Sequence, residues 1–286
     1  MVAPLSGGRV LRRGSAWLVL ILLLLFAIIP FLWMLTASLE PIQSLNRSAV
    51  SFIPSPFTLN NYAALFHPNT QAQTNFPRYF VNSVIVVICT VLLALIVATP
   101  AAYGFSRFRF RGRHAMLFGV LIQSVFPLIN FLIPLYIVMH TLGLTDTYPS
   151  LIIGYLTFSL PLNIWLLKGF FDGIPADMEM AARLDGASRW RAFLEIGLPP
   201  ALPGLVATAI YTFILAWDEY LYALTMIQSA SMRTLPLGIF AYFSEGTPNW
   251  SQLTATAIAM SIPVVVVFLV LQRYFINALT KGALKY

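Results

Sequence analysis

Six long apolar runs constrain the fold of this chain more than any other feature. A helix needs about 20 mostly apolar residues to cross the hydrocarbon core of a bilayer. Runs of about that length occur at 16–36, 80–102, 115–140, 149–167, 203–225 and 254–275. Hydrophobic residues make up 59% of the 286 and charged residues only 9%, against about a quarter charged in soluble domains. The sequence therefore predicts an all-α membrane protein with six transmembrane helices, several of them with internal prolines such as Pro127, where kinks would suit a cavity.

The distribution of basic residues predicts how the chain is oriented. With a cytoplasmic N-terminus, 14 of the 17 Lys and Arg residues fall on the cytoplasmic side, as the positive-inside rule requires. This asymmetry accounts for the net charge of +7, so we expect membrane lipid and not nucleic acid as a partner. The expected regions are a cytoplasmic N-terminus at 1–15, a first span at 16–36, an extracytoplasmic segment at 37–79 and a cytoplasmic tail at 276–286.

The sequence lacks the motifs that metal, redox and nucleotide-binding sites require. The three His residues have no metal-ligand spacing, and the single Cys89 cannot form an intrachain disulfide or a CxxC site. No GxxxxGK[ST] phosphate-binding loop occurs in the chain. We therefore expect no metal site, catalytic residue or cofactor here, and any ATP to be bound by another polypeptide.

A polar loop at 168–203 interrupts the apolar pattern and is expected in the cytoplasm. Pro175 and the acidic residues after it favour a helix start, and Gly186 favours a stop. Ser188 is typical of a second N-cap, and that helix is predicted to end near Gly197. The loop is thus predicted to form two short helices with a sharp turn near Gly186. One face of the second helix is expected to carry Trp190, Phe193, Leu194 and Gly197.

The spacing within this loop is more specific than its amphipathic pattern. Ala181-Ala182 is followed after three residues by Gly186, after nine more by Ile196, and then by Leu198-Pro199. This spacing resembles the EAA coupling loop of ABC importer permeases, which sits in a cleft of the ATP-binding subunit. Met180 stands where that family usually has Glu, with Glu179 adjacent. The resemblance implies an ATPase contact through Glu179, Met180, Ala181, Ala182, Asp185, Gly186, Trp190, Phe193, Ile196, Leu198 and Pro199.

The resemblance covers nearly the whole chain and is most specific to the carbohydrate-uptake (MalG-like) permeases. The similar segments are TLNNYAALF (58–66), YFVNS (79–83), IPLYIVMHTLGLTDTYPSLI (133–152) and LPLNIWLLKGFFDGIPADMEMAARLDGAS (160–188). It implies a type I ABC importer transmembrane domain in a prokaryotic cell membrane, with the core permease domain at 80–275. The implied partners are a second homologous permease, two ATPase subunits that bind ATP and Mg, an extracytoplasmic solute-binding protein and a carbohydrate substrate.

A candidate substrate path lies in the fifth apolar run. A carboxylate at a helix centre in the bilayer costs about 2.5–3.5 kcal/mol, so Asp218 and Glu219 should face water, a cavity or a partner. The flanking Trp217 and Tyr220 offer aromatic faces suited to a sugar, or else belong to an interfacial belt while the acids form caps. Asn130, Gln123 and Asn163 are further polar candidates, with helix-to-helix hydrogen bonding as the alternative.

An alternative function uses the same two acids. Asp218 and Glu219 would serve a proton-coupled secondary transporter or an intramembrane enzyme. Against this alternative, the sequence has no visible inverted repeat and no nucleophile–base or metal-ligand constellation at a common membrane depth.

Overall fold

The computed structural model describes residues 7–45, 52–67, 75–240 and 249–283. Regular structure within these ranges is helical and includes no strand, which agrees with the predicted all-α class. The α-helices are α1 (Gly7–Ser38), α2 (Ile42–Leu45), α3 (Asn60–Leu65), α4 (Phe76–Arg107), α5 (Arg113–Ile122), α6 (Ile129–Thr141), α7 (Tyr148–Asp172), α8 (Ala176–Leu184), α9 (Arg189–Ala192), α10 (Leu198–Trp217), α11 (Leu221–Met226), α12 (Leu235–Ile239) and α13 (Trp250–Ala283). Residues 1–6 of the predicted N-terminus and 284–286 of the predicted tail lie outside the described residues.

Five helical spans within the described ranges are long and apolar enough to cross a membrane. They are Ser15–Ser38, Phe76–Arg107, Tyr148–Asp172, Arg189–Trp217 and Trp250–Gln272. The predicted span at 115–140 is sharply bent, because α5 and α6 meet at an angle of 101°. Pro127 lacks the N–H that a continuous helix would use, and Phe126 before it is extended, with φ −77° and ψ 138°. The count of six holds only if this bent pair forms one span.

The fifth predicted span, 203–225, is displaced. Its helix starts at α9, passes through a π-helical turn at Phe193–Gly197 and ends with α10 at Trp217. Pro199 and Pro200 lie in the first turn of α10, directly after the π-helical turn, and the helix continues through them, so the predicted end near Gly197 is wrong. The polar loop between α7 and α10 is therefore shorter than 168–203.

The chain divides into two compact units, the first made of Met1–Asn75 and Ala241–Met260. In this unit the segment after α1 folds back onto the end of that helix. The Asn61 amide donates to the carbonyls of Ser38 at 2.9 Å and Glu40 at 2.8 Å. The Glu40 carboxylate accepts the Ser55 N–H at 3.1 Å. These bonds hold Ser55 and Asn61 against the residues at the end of α1.

The second unit, Phe76–Phe240 and Ser261–Tyr286, contains the polar loop. Its centre is the mutual packing of α4, α7 and α10. Ala94, Ala98 and Ala102 lie four residues apart on one face of α4 and are fully buried. On α10, a Cβ added at Gly204 would lie 2.5 Å from the Phe170 ring. Small residues thus bring the three helices close together, as is usual in membrane bundles.

Asn82 of the YFVNS segment joins α4 to distant parts of the second unit. Its buried amide donates to the carbonyls of Ser231 at 2.9 Å and Arg233 at 2.8 Å, and its oxygen accepts the Tyr148 hydroxyl at 2.7 Å. Next to it, the Ser83 hydroxyl accepts the Leu235 N–H at 2.8 Å. The two residues therefore fix the segment before α12 against α4.

Asp146 makes a similar connection between the α6–α7 loop and the residues after α11. Its carboxylate accepts the N–H groups of Gln228 and Ser229 and the Ser229 hydroxyl, each at 3.0 Å. Burial alone would raise the pKa of this carboxyl, but the bonds from Ser229 and Gln228 outweigh it, so the pKa lies below its ordinary value. Asp146 also has φ 59°, a conformation that Asp tolerates better than most residues.

Substituting Asn82 tests how much this network stabilises the second unit. Asn82→Ala leaves two carbonyls and a hydroxyl without their buried partner, so we expect a loss of about 1–3 kcal/mol in the free energy of unfolding. Thermal unfolding of the purified protein in detergent measures the effect. Asn60→Ala, at an exposed position, is the matched control and should leave the melting temperature unchanged. Equal melting temperatures for both variants would contradict the assigned role of Asn82.

Candidate functional site

The turn of the polar loop forms at Gly186, as the sequence predicts. Gly186 has φ +90°, which a residue with a side chain rarely adopts. Its N–H donates to the Arg183 carbonyl at 3.2 Å, and the Ala187 N–H donates to the Ala182 carbonyl at 3.0 Å. This pair of bonds is the Schellman motif that closes a helix on a left-handed residue. It fixes the angle at which the chain leaves α8.

The second helix starts at the predicted cap but does not end where predicted. The Ser188 hydroxyl accepts the Arg191 N–H at 3.2 Å and caps α9. Gly197 belongs to the π-helical turn that joins α9 to α10. The second short helix of the loop is therefore continuous with a membrane span, whereas α8 is separated from helices on both sides.

Glu179 attaches α8 to the rest of the protein. In α8, which the structure describes in full, it is the one buried residue. Its carboxylate accepts the Arg107 Nε–H at 2.8 Å and the Tyr103 hydroxyl at 2.6 Å. The Arg107 and Glu179 side chains are 12% and 9% exposed. We call Tyr103, Arg107 and Glu179 the Glu179 clamp. The clamp places Glu179 inside the chain and away from the outer surface of the loop.

The clamp also gathers the ends of two membrane helices. Arg107 donates a second bond to the Ile174 carbonyl at 3.0 Å, and Ser106 donates to Asp172 at 2.7 Å. The last turns of α4 and α7 are thereby joined next to α8. Removing one partner of a buried ion pair costs about 3–5 kcal/mol, because the other charge is left buried.

Tyr103 contacts both halves of the loop. Its hydroxyl binds Glu179, and its ring lies 4.6 Å from the ring of Phe193, which is 5% exposed. A Cβ added at Gly197 would lie 3.2 Å from the Glu179 carboxylate. The π-helical turn therefore packs directly on the clamp, and Gly197 provides the room for this approach.

The outer surface of the loop carries large apolar side chains among charged ones such as Arg183 and Asp185. Leu184 is 89% exposed, Trp190 63% and Met180 55%. The four residues predicted to share one face of the second helix differ in burial. Phe193 and Gly197 are buried, whereas Leu194 and Trp190 are exposed, and the Trp190 ring lies 5.2 Å from the ring of Phe193. The π-helical turn shifts the register that a regular α-helix would keep. Of the other predicted contact residues, Ala181, Asp185 and Pro199 are exposed, and Ala182, Ile196 and Leu198 are half-buried.

The four residues predicted around Asp218 do not form one polar cluster. Trp217 is buried and stacks on Phe213, with ring centroids 5.5 Å apart. Glu219 accepts the N–H groups of Tyr222 at 2.7 Å and Ala223 at 3.2 Å, so it caps α11. The Tyr220 ring stacks on Phe240, and Asp218 is exposed in the break after α10. The capping alternative therefore describes Glu219.

The other polar candidates also lie in different environments. Asn163 is buried and donates to Thr212 at 2.7 Å, the helix-to-helix bond expected as its alternative role. Asn130 is exposed. Gln123 donates to the Thr157 carbonyl at 2.7 Å and lines a cavity of about 180 Å³.

This cavity lies where the third predicted span is broken. Its lining includes Gln123, Ser124, Phe126, Phe158, Tyr211 and Tyr222. Sequence reasoning missed Phe158, Tyr211 and Tyr222, because they lie on three other helices, α7, α10 and α11. Pro127 indicated a kink that suits a cavity, but not which distant side chains line it.

Comparisons with known proteins agree with this architecture. Residues 90–281 match the family described as binding-protein-dependent transport system inner membrane component. The trehalose transport system permease protein SugB of Mycobacterium tuberculosis is 36% identical over 96% of this chain and 98% of its own. The trehalose/maltose transport system permease protein MalG of Thermococcus litoralis is 34% identical over 96% and 98%.

A solved bacterial ABC transporter involved in the import of the polysaccharide alginate shares the fold. Its matching chain has a TM-score of 0.82 at 23% identity, over 96% of this chain and 100% of that one. The relatives are permease subunits, the non-catalytic membrane components of their transporters, and do not favour a proton-coupled transporter or an intramembrane enzyme. The chain therefore belongs to the family of binding-protein-dependent inner-membrane transport components and is a multi-pass permease subunit of an ABC importer.

Proposed function

We propose that this permease carries carbohydrates, of the size of a disaccharide or a short oligosaccharide. The observation that carries the proposal is similarity over nearly the full chain to permeases named for trehalose and for trehalose and maltose. The segments at 58–66, 79–83, 133–152 and 160–188 point to the same branch of the family. Because that similarity includes the polar loop as well as the spans, we extend the proposal to the mode of coupling.

The proposed assembly contains a second homologous permease, two ATPase subunits and an extracytoplasmic solute-binding protein. ATP and Mg would be bound by the ATPases. The family description supports the binding protein, and the excess of Lys and Arg supports a cytoplasmic location for both termini and for the polar loop. The loop would then face the ATPases.

The exposed residues of the loop support an apolar ATPase contact. Met180, Leu184 and Trp190 project from the loop, and large exposed apolar side chains in one place are typical of a docking surface. Met180 occupies the position of the usual motif Glu, while the neighbouring Glu179 is engaged by Arg107 and Tyr103. In the proposed complex the charged contact of other family members is thus replaced by an apolar one.

The substrate path is proposed to include Asp218 and the cavity beside Gln123. The cavity combines amide and hydroxyl groups with the rings of Phe126 and Phe158, and sugars bind to surfaces of this kind. Asp218 is exposed and leaves its carboxylate available for hydroxyl groups. Glu219 and Asn163 are left out of this path, because the Glu219 carboxylate caps α11 and the buried Asn163 amide N–H donates to Thr212.

Growth on a panel of sugars tests the proposed substrate class. A strain lacking this gene should lose growth on one or more of trehalose, maltose and related oligosaccharides, and the gene on a plasmid should restore it. Uptake should continue in the presence of a protonophore while cellular ATP is maintained. Normal growth on every sugar, or uptake abolished by the protonophore at constant ATP, would contradict the proposal.

Substituting Gly186 tests the role of the loop. Gly186→Val places a β-branched residue at φ +90°, which costs roughly 1–2 kcal/mol, so the turn should change its conformation. We expect sugar uptake to fall about tenfold while ATP hydrolysis continues. Gly169→Val is the control, since a Cβ at that helical position meets nothing within 4 Å. Normal coupling in Gly186→Val would disprove the assignment.

The two neighbouring acids should respond differently to neutralisation. Asp218→Asn removes a charged acceptor from the path, and we expect uptake at saturating sugar to fall about three- to tenfold, which corresponds to one hydrogen bond. Glu219→Gln keeps an acceptor for the α11 N–H groups and should leave this rate nearly unchanged. Uptake rates in membrane vesicles compare the two. An unchanged rate for Asp218→Asn would remove Asp218 from the path.

A further inference from the structure

We infer that Tyr103 and Arg107 are positioning residues for coupling, which grip both short helices of the loop from the last turn of α4. This inference rests on the proposed role of the loop and adds the residues that connect it to the membrane spans. The two side chains lie four residues apart on α4 and therefore face the same way. Both bind Glu179, on α8, while the Tyr103 ring packs on Phe193, next to α9.

The first step of the argument concerns α8. A helix of nine residues is too short to be stable alone, and its apolar residues Met178, Met180 and Leu184 are exposed. Tertiary contact through its interior side therefore depends on Glu179. Removing the clamp would leave α8 joined to the second unit chiefly through the adjacent chain.

The second step concerns how a displacement of α8 would be transmitted to the membrane spans. A hydrogen-bonded ion pair resists displacement more specifically than an apolar contact, because its distances and angles are restricted. Arg107 holds Glu179 and the Ile174 carbonyl at once, so it fixes both α8 and the residue two positions before it. A force on the exposed Leu184 and Met180 would thus be transmitted to the end of α4.

The third step distinguishes the contact with Glu179, on α8, from the contact with Phe193, next to α9. The bonds to Glu179 are polar, whereas the contact with Phe193 is between rings 4.6 Å apart. Tyr103→Phe removes only the hydroxyl and preserves the ring contact. Arg107→Ala removes the charge and leaves Tyr103 in place. The polar contact with α8 can therefore be weakened while the ring contact next to α9 remains.

Amide hydrogen exchange tests the two contacts separately. The sample is the intact importer, purified through a tag on this chain and free of nucleotide. We expect amide exchange in residues 176–184 to become at least about tenfold faster in Tyr103→Phe and Arg107→Ala. Exchange in residues 189–197 should stay as in the wild type in Tyr103→Phe. Glu195→Ala is the matched control, because Glu195 forms an exposed ion pair with Arg191 in the same loop. Unchanged exchange in 176–184, or an equal effect of Glu195→Ala, would overturn the inference.

Transport in proteoliposomes adds a readout that stability alone would not change. With ATP and radiolabelled trehalose or maltose, Arg107→Ala should hydrolyse ATP but take up less sugar per ATP. Glu179→Gln keeps an acceptor for Tyr103 and Arg107 but leaves the Arg107 charge unpaired, so it should recover part of the ratio that Glu179→Ala loses. Equal ratios in Glu179→Gln and Glu179→Ala would contradict a positioning role. If the wild-type importer carries neither sugar, the proposed substrate class fails, while the exchange experiment still decides the clamp.

Discussion

The structure of the loop depends on the buried ion pair between Arg107 and Glu179. Such a pair gains little over apolar packing when it forms, but losing one partner is expensive. Its consequence here is geometric, because the carboxylate brings together the end of α4, the start of α8 and the π-helical turn before α10. Helix α8 can therefore remain folded although apolar residues such as Leu184 are exposed on its surface.

The membrane spans show the complementary constraint that backbone groups in an apolar solvent need partners. Breaks are tolerated only where other groups lie nearby. At the break around Pro127, Gln123 donates to the Thr157 carbonyl and a cavity opens. At the break after Trp217, Glu219 accepts two N–H groups of α11. The interruptions of the helices are thus also the places where polar side chains enter the bundle.

Much of this arrangement could be predicted from local sequence. The apolar runs predicted the spans, and Gly186 and Ser188 predicted the turn and the cap, because these depend on a few neighbouring residues. The partner of Glu179 could not be predicted, since Arg107 is 72 residues away. The size of the bend at Pro127 and the π-helical turn could not be predicted, because hydropathy measures how apolar a run is and says nothing about the direction of its axis.

The π-helical turn at Phe193–Gly197 has a consequence for how this loop can diverge among related importers. Each residue of an α-helix turns the chain by about 100°, and a π-helical turn accommodates one residue more than an α-helical turn. Deleting a single residue here would rotate α9 about the axis of α10 by roughly that angle while leaving the span itself intact. One insertion or deletion would thus change the direction of Trp190, and with it the shape of the proposed ATPase contact, without any change in the membrane span.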